Sequence, residues 1–295
     1  MTEKVEFRKI RDFGEVITDT FLFMRQNLKP LLKTFVFLCG FFIVATMLSA
    51  IVQQIGMQKT MRAGGFTKGA FDFTSLGQIF NLNYLILVIF MIANYTAIYV
   101  TVFSYIAIYV EKGRIAPSVE EVWAYFKYYF FRLLGSSLVI SVFMILCLVC
   151  CIIPFIYVFP AMSLFYPVMI LENGGLSYSF GRSFKLLKTQ WWITAGTIFI
   201  LWLITYACMS FASLPAIALT LFSTFTRGPL GTSNLVIIIS TVIQHLCHIF
   251  MIIPVAGTAM IYYNLAERQE NAGLLDKIDK FGIADANTSS TPEEY

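Results

Sequence analysis

The sequence predicts an all-α fold, a polytopic transmembrane helical bundle with six spans. Three observations predict it. Leu133–Leu171 runs for 39 residues without Asp, Glu, Lys, Arg or His, fenced by Arg132 and Glu172. As one straight helix it would be ~58 Å long at ~1.5 Å per residue, against a hydrocarbon core about 30 Å thick. It must therefore cross twice, turning at Cys150-Cys151-Ile152-Ile153-Pro154. Composition points the same way: 58% of the 295 residues are hydrophobic and 13% charged, with a mean hydropathy of +0.75, where a soluble domain carries about 25% charge. The third observation is charge placement. With six spans and the N-terminus inside, the inner segments hold 17 Lys and Arg and the outer ones 4. A single crossing by Leu133–Leu171 would make the split 12 and 9. The positive-inside tendency selects the first arrangement, with both termini cytoplasmic.

In chain order, residues 1–33 form a cytoplasmic segment carrying an amphipathic helix over Phe13–Lys29, with Asp12 and Glu15 spaced as a capping box. No cleavable signal peptide is expected, because charge precedes the first apolar run. Pro30 marks the join to span one, Thr34–Ile55. A loop rich in Gly and Phe covers 56–80. Span two is Asn81–Val110, and its tyrosines (Tyr84, Tyr95, Tyr99, Tyr105, Tyr109) are read as partly interfacial. Pro117-Ser118-x-x-Glu121 opens a second surface helix running to Arg132. Spans three and four are Leu133–Ile153 and Phe155–Leu171. Glu172-Asn173-Gly174-Gly175 breaks the pattern before a third surface helix, Leu176–Gln190, which leads through the interfacial pair Trp191-Trp192 into span five, Ile193–Phe222. Arg227-Gly228-Pro229 lies in a short loop. Span six is Leu235–Tyr263. The membrane domain is thus 34–263, and 264–295 is a cytoplasmic tail, partly disordered by composition.

The three inner segments share one pattern. Ile17, Phe21, Met24, Arg25 and Leu28 follow the same offsets as Val119, Trp123, Phe126, Lys127 and Phe130, and as Phe180, Phe184, Leu187, Lys188 and Trp191. These offsets put the apolar residues on one helical stripe with the basic residue at its edge, within reach of headgroups. A threefold repeat of surface helix plus hairpin is the implied unit. Arg25, Lys127, Arg182 and Lys188 become the expected lipid or partner contacts, and Glu172, at the inner membrane edge, is expected to pair with Arg182 or Lys185.

The run Pro154-x5-Pro160-x6-Pro167-Val168-Met169-Ile170-Leu171-Glu172-Asn173-Gly174-Gly175, followed by Ser179-Phe180-Gly181-Arg182-Ser183-Phe184-Lys185-Leu186-Leu187-Lys188 and Trp191-Trp192, resembles the membrane domain associated with glycerophosphoryl diester phosphodiesterases. It also resembles related six-span bacterial membrane proteins. The resemblance covers about Val119–Ile204. It implies a fold and a bacterial cytoplasmic (inner) membrane. It implies no activity, since the phosphodiesterase chemistry belongs to a separate soluble domain of about 250 residues, for which no polar segment here is long enough.

Little chemistry is legible. His245 and His248 in span six share a helical face, with Gln244 alongside, and Asn94 is central in span two. These four are the candidate polar path. For the histidines the open readings are buried hydrogen bonding, a substrate or proton path, and a metal or haem site. The last lacks ligands, because no span contains a further His, Asp or Glu. Asn94 is expected to hydrogen-bond to another helix. Cys39, Cys147, Cys150, Cys151, Cys208 and Cys247 all fall in apolar stretches and read as small hydrophobes; the Cys147-x-x-Cys150 spacing has no second pair to complete a zinc site. Pro160, Pro167, Pro215 and Pro254 lie inside spans and free carbonyls four residues back, either as kinks or as backbone offered to a substrate. No phosphate loop, carboxylate pair or nucleophile triad is present, so no catalytic residue is assigned and no cofactor expected. The expected partners are membrane lipids, with a protein partner or a second copy as the alternatives and nucleic acid excluded for want of a basic polar domain. The reading is a scaffold, lipid-organising or accessory subunit without enzymatic activity. The alternatives are a small transporter using the proline-broken spans and an intramembrane metal or haem enzyme.

Overall fold

The computed structural model describes residues 4–62, 81–227 and 233–270. Among them every regular element is helical: α1 (Phe13–Arg62), α2 (Leu82–Glu111), α3 (Val119–Cys150), α4 (Ile152–Leu171), α5 (Leu176–Leu187), α6 (Trp191–Arg227), α7 (Asn234–Leu246), a 3-10 stretch (Cys247–Met251) and α8 (Ile252–Glu270). Six helical segments are long and apolar enough to cross a membrane, with α7, the 3-10 stretch and α8 together making the sixth. The chain is a six-span, multi-pass membrane protein. The Leu133–Leu171 run is a hairpin as expected, and Cys151 is the only residue between its two helices.

Two helices form the middle of the bundle. Almost every residue of α2 from Asn94 to Tyr109 is buried, as is almost every residue of α8 from Ile252 to Leu265. A helix apolar on all sides has to sit inside. The outer helices α3 and α6 instead expose large apolar side chains such as Phe131, Val149 and Phe225, which only a lipid environment tolerates in such number. Gly257 of α8 lies so close to α6 that a Cβ there would collide with the Leu201 Cδ1 methyl. Small residues at such a crossing let two backbones approach in lipid.

The three expected surface helices are realised differently. The first two are not separate elements. α1 continues through Pro30 for 50 residues, and α3 continues from Val119 through Arg132. Pro30 removes one hydrogen bond, but packing holds the helix on both sides of it: Phe23 lies against Tyr105 and Tyr109, and Phe35 is buried in the core. Only α5 stands alone, and it turns back over the preceding hairpin. Phe180 meets Phe143, and Trp191 donates Nε1–H to the Tyr157 carbonyl at 3.1 Å. Tyr157 lies fourteen residues before the end of α4, about 21 Å of helix. The reversal passes through Asn173 at φ +49°, a conformation Asn tolerates better than most residues.

The shared offsets therefore do not give shared packing. Phe21 and Leu28 are exposed on the outward side of α1, Ile17 and Met24 are half-buried with Met24 against the core, and it is Val16, Thr20, Phe23, Asn27 and Leu31 that are buried. In α3, Phe126 and Phe130 turn inward onto Phe42. The Ser118–Glu121 capping box is complete, whereas Asp12 and Glu15 make half of one, with the Asp12 N–H donating to Glu15. Tyr105 and Tyr109 are fully buried and donate to Asn27 Oδ1 and the Val5 carbonyl; the interfacial reading of these two does not hold. The loop expected over 56–80 starts late, since α1 runs to Arg62. Residues 63–80, the Gly228-Pro229 turn and the tail from 271 lie outside the described residues.

Candidate functional site

Polar groups gather in two places, one at the charged end of the bundle and one within the spans. At the charged end the N-terminal segment folds onto the bundle instead of trailing away. Phe7 packs on Phe23, Tyr109 and Tyr263. Arg11 follows with a side chain that is 0% exposed. Its Nε binds Asp19 Oδ2 at 2.7 Å, its Nη1 the carbonyls of Phe7 and Lys9 at 2.8 and 3.1 Å, and its Nη2 the Glu6 carbonyl. A buried guanidinium persists only when its fork is satisfied in this way. The Arg11 backbone ties to the last helix: its N–H donates to Asn264 Oδ1 at 2.9 Å, and its carbonyl accepts from Arg268 at 2.8 Å. No pattern in the sequence announced Arg11, because the partners of its side chain are mostly backbone carbonyls.

Glu172 is the second hub. It accepts from Tyr178 (2.6 Å), Tyr262 (2.9 Å) and Arg182 Nε (3.1 Å), and Arg182 also reaches Glu270. The pairing expected with Arg182 is present, and Lys185 is exposed instead. Burial pulls the Arg182 pKa down, but hydrogen bonds and charge from Glu172 and Glu270 outweigh it and hold the guanidinium above its ordinary value. The hydrogen bond to Glu172 pushes the Tyr178 phenol upward. Arg132 donates to the side chain and carbonyl of Asn173, locking the turn that aims α5. These groups clamp one another and leave Glu172 no free carboxylate oxygen for chemistry.

Of the four expected headgroup contacts, Arg25, Lys127 and Lys188 are exposed and form no ion pair among the described residues, while Arg182 is committed to the hub. Lys127 lies over the Trp123 ring at 5.8 Å, a cation–π contact. Trp192 is 82% exposed. Trp191 is not a free interfacial ring, since it stacks on Tyr157.

Within the spans, Asn94 is fully buried and its Nδ2 meets His248 Nδ1 at 3.3 Å. This joins α2 to the 3-10 break of the last span. His245 Nδ1 lies 2.8 Å from the Thr241 carbonyl and its ring 5.1 Å from that of His248. A carbonyl only accepts, so His245 Nδ1 is the donor in this contact. Three of the four polar-path residues are therefore brought together. Gln244, exposed on the same helix, makes no hydrogen bond to them. Further polar contacts, Thr241 to Gln54 at 3.1 Å and Ser213 to Cys247 at 3.8 Å, bind the last span to α1 and α6. Asn94 Oδ1 has no hydrogen-bond partner among the described residues. Among the described residues no three His, Cys, Asp or Glu side chains gather as a metal site.

Searches against protein-family models, curated proteins and solved structures return no match to this chain.

Two of the cavities bear on these polar groups. The larger, about 620 Å³, lies at the charged end between the N-terminal segment, the start of α6 and the end of α8, with Asp12, Trp192 and Arg268 on its walls. The second, about 200 Å³, lies within the spans, where α2, α3, α4, α6 and α8 converge. The prolines were read as possible exposed backbone. Pro254 does line this second cavity, whereas Pro160 and Pro167 are buried in packing. Of its main polar groups, Tyr99 was read in the sequence only as partly interfacial, and Tyr166, Ser141 and Ser163 were not picked out. Ser141 and Ser163, hydroxyls inside the longest apolar run, were the available signal.

Proposed function

We propose that this chain is a non-enzymatic protein of a bacterial cytoplasmic membrane, both termini cytoplasmic, that organises anionic lipid or seats a partner subunit at its charged end. The observation that carries this reading is the outward apolar stripe of α1. One side of the helix is covered by the bundle, while Phe21 and Leu28 on the other are 38% and 48% exposed with Arg25 beside them. An apolar stripe edged by an unpaired cation suits the region where acyl chains meet phosphates. Lys127 on Trp123 repeats that combination on α3. The resemblance to phosphodiesterase-associated membrane domains belongs to the same proposal, as a fold that accompanies chemistry done elsewhere. The test is charge reversal of Arg25, Lys127 and Lys188 together. The anionic phospholipid that co-purifies, or the partner captured, should fall severalfold while the protein stays folded. An unchanged lipid and partner profile refutes the reading.

A small transporter is the second reading, favoured by the Asn94–His248 contact at the break in the last span and by the unpartnered Asn94 oxygen beside it. Substrate-dependent flux in liposomes that is lost in the His245→Ala, His248→Ala double variant supports it.

A further inference from the structure

We propose that the 200 Å³ cavity inside the spans is a binding site for a neutral, flat, membrane-dissolved molecule that carries carbonyl acceptors, of the quinone class. The cavity is walled by aromatic and apolar side chains and contains no charged residue. Its geometry is set by Tyr99 and Tyr166, whose rings are stacked at 4.7 Å and 2° from parallel. Neither hydroxyl makes a hydrogen bond to any described residue. In hydrocarbon a hydroxyl without an acceptor is costly, and several span hydroxyls avoid that cost: Thr205, Thr241 and Thr258 each donate to the carbonyl four residues back, although Ser104 does not. Ser163 donates likewise to the Phe159 carbonyl, and no hydrogen bond among the described residues joins it to either phenol, which leaves two phenols in need of acceptors. The access route also selects the ligand. Ser141 is exposed on α3, nine residues past Arg132, so the cavity opens sideways into the apolar part of the hairpin.

These facts decide between occupants. A phosphate headgroup finds no cation on the walls. An acyl chain fills the space but offers the hydroxyls nothing. A planar ring bearing carbonyl oxygens fits the aromatic walls and accepts from both phenols, each such bond giving about two- to tenfold in affinity. The proposal concerns binding alone and is independent of the lipid-organising reading, which rests on the outer surface of the charged end.

The test compares duroquinone with durene, the hydrocarbon of the same shape, on the full-length protein in detergent, by ligand-induced shift of the thermal melting curve. Duroquinone is substituted at every ring carbon and cannot add to the six cysteines. Duroquinone should bind about tenfold or more tightly than durene. The Tyr99→Phe, Tyr166→Phe double variant, which keeps ring volume and stacking, should bring the two within about twofold. Ser163→Leu, which fills the cavity, should abolish the shift for both. Equal binding of the two probes by the unaltered protein would show a merely apolar void and overturn the proposal. So would binding of neither, or duroquinone binding that survives Ser163→Leu. Circular dichroism of each variant before titration separates loss of binding from loss of fold.

Discussion

At the scale of single residues, this protein is held together by a few charges taken out of solvent. Arg11 is the clearest case. Its side chain has one carboxylate partner and three carbonyl partners, and its backbone bridges to Asn264 and Arg268 across more than 250 residues of sequence. Removing one partner of a buried pair typically costs about 3–5 kcal/mol. Arg11→Met should accordingly lower the melting temperature steeply, and Arg11→Lys should restore little, because an ammonium cannot reproduce the guanidinium fork. A wild-type melt for Arg11→Lys would show that charge alone suffices. Glu172→Gln is expected to cost less, about 1–3 kcal/mol, since the amide still accepts from some of Tyr178, Tyr262 and Arg182. The Glu172–Arg182 pairing was legible in the sequence, two opposite charges ten residues apart across a glycine break. Tyr262 was not, because it arrives from ninety residues away.

At the scale of elements, the sequence placed the spans well and their junctions poorly. Pro30 and Arg132 looked like boundaries between surface helix and span, and the helices run through both. A proline or a charge is a local signal; whether a helix survives it depends on what packs on either side. The same limit applies to α5, whose amphipathic pattern is plain but whose path back over the α3–α4 hairpin follows from contacts at Phe143 and Tyr157. The α6–α8 crossing gives a prediction of its own. Gly257→Ala places a methyl group 3.2 Å from Leu201 Cγ and closer to its methyls, overpacking worth about 1–3 kcal/mol. Thermal unfolding should show that loss, and adding Leu201→Ala should recover part of it. If the second change only adds to the first, the two residues do not share one crowded space.

At the scale of the whole molecule, orientation is the consequence of charge counting that can be tested most directly. Cys150 and Cys151 are exposed at the α3–α4 turn, while Cys39 and Cys247 are buried. A thiol reagent that cannot cross membranes should label the Cys150–Cys151 turn when added outside intact cells. Labelling only after the cells are opened would reverse the proposed topology. The candidate sites divide along the same line between local and distant information. Asn94, His245 and His248 stood out because polar side chains are rare in apolar runs, but that Asn94 meets His248, and that Gln244 stays apart, depends on how α2 lies against the last span. The tyrosine cavity gave almost no signal, since Tyr, Ser and Trp are unremarkable in a membrane helix until two rings from different spans are stacked.

By itself the sequence determined the solvent and the number of crossings, and it supplies the proposed side for each segment. These follow from length against bilayer thickness and from the distribution of Lys and Arg, both additive along the chain. Only the tertiary structure decided which charges are clamped, which apolar stripe faces outward and where a cavity is left open. Those depend on which surfaces meet across long sequence separations, and burial of a polar group is a property of its neighbours, not of its place in the chain.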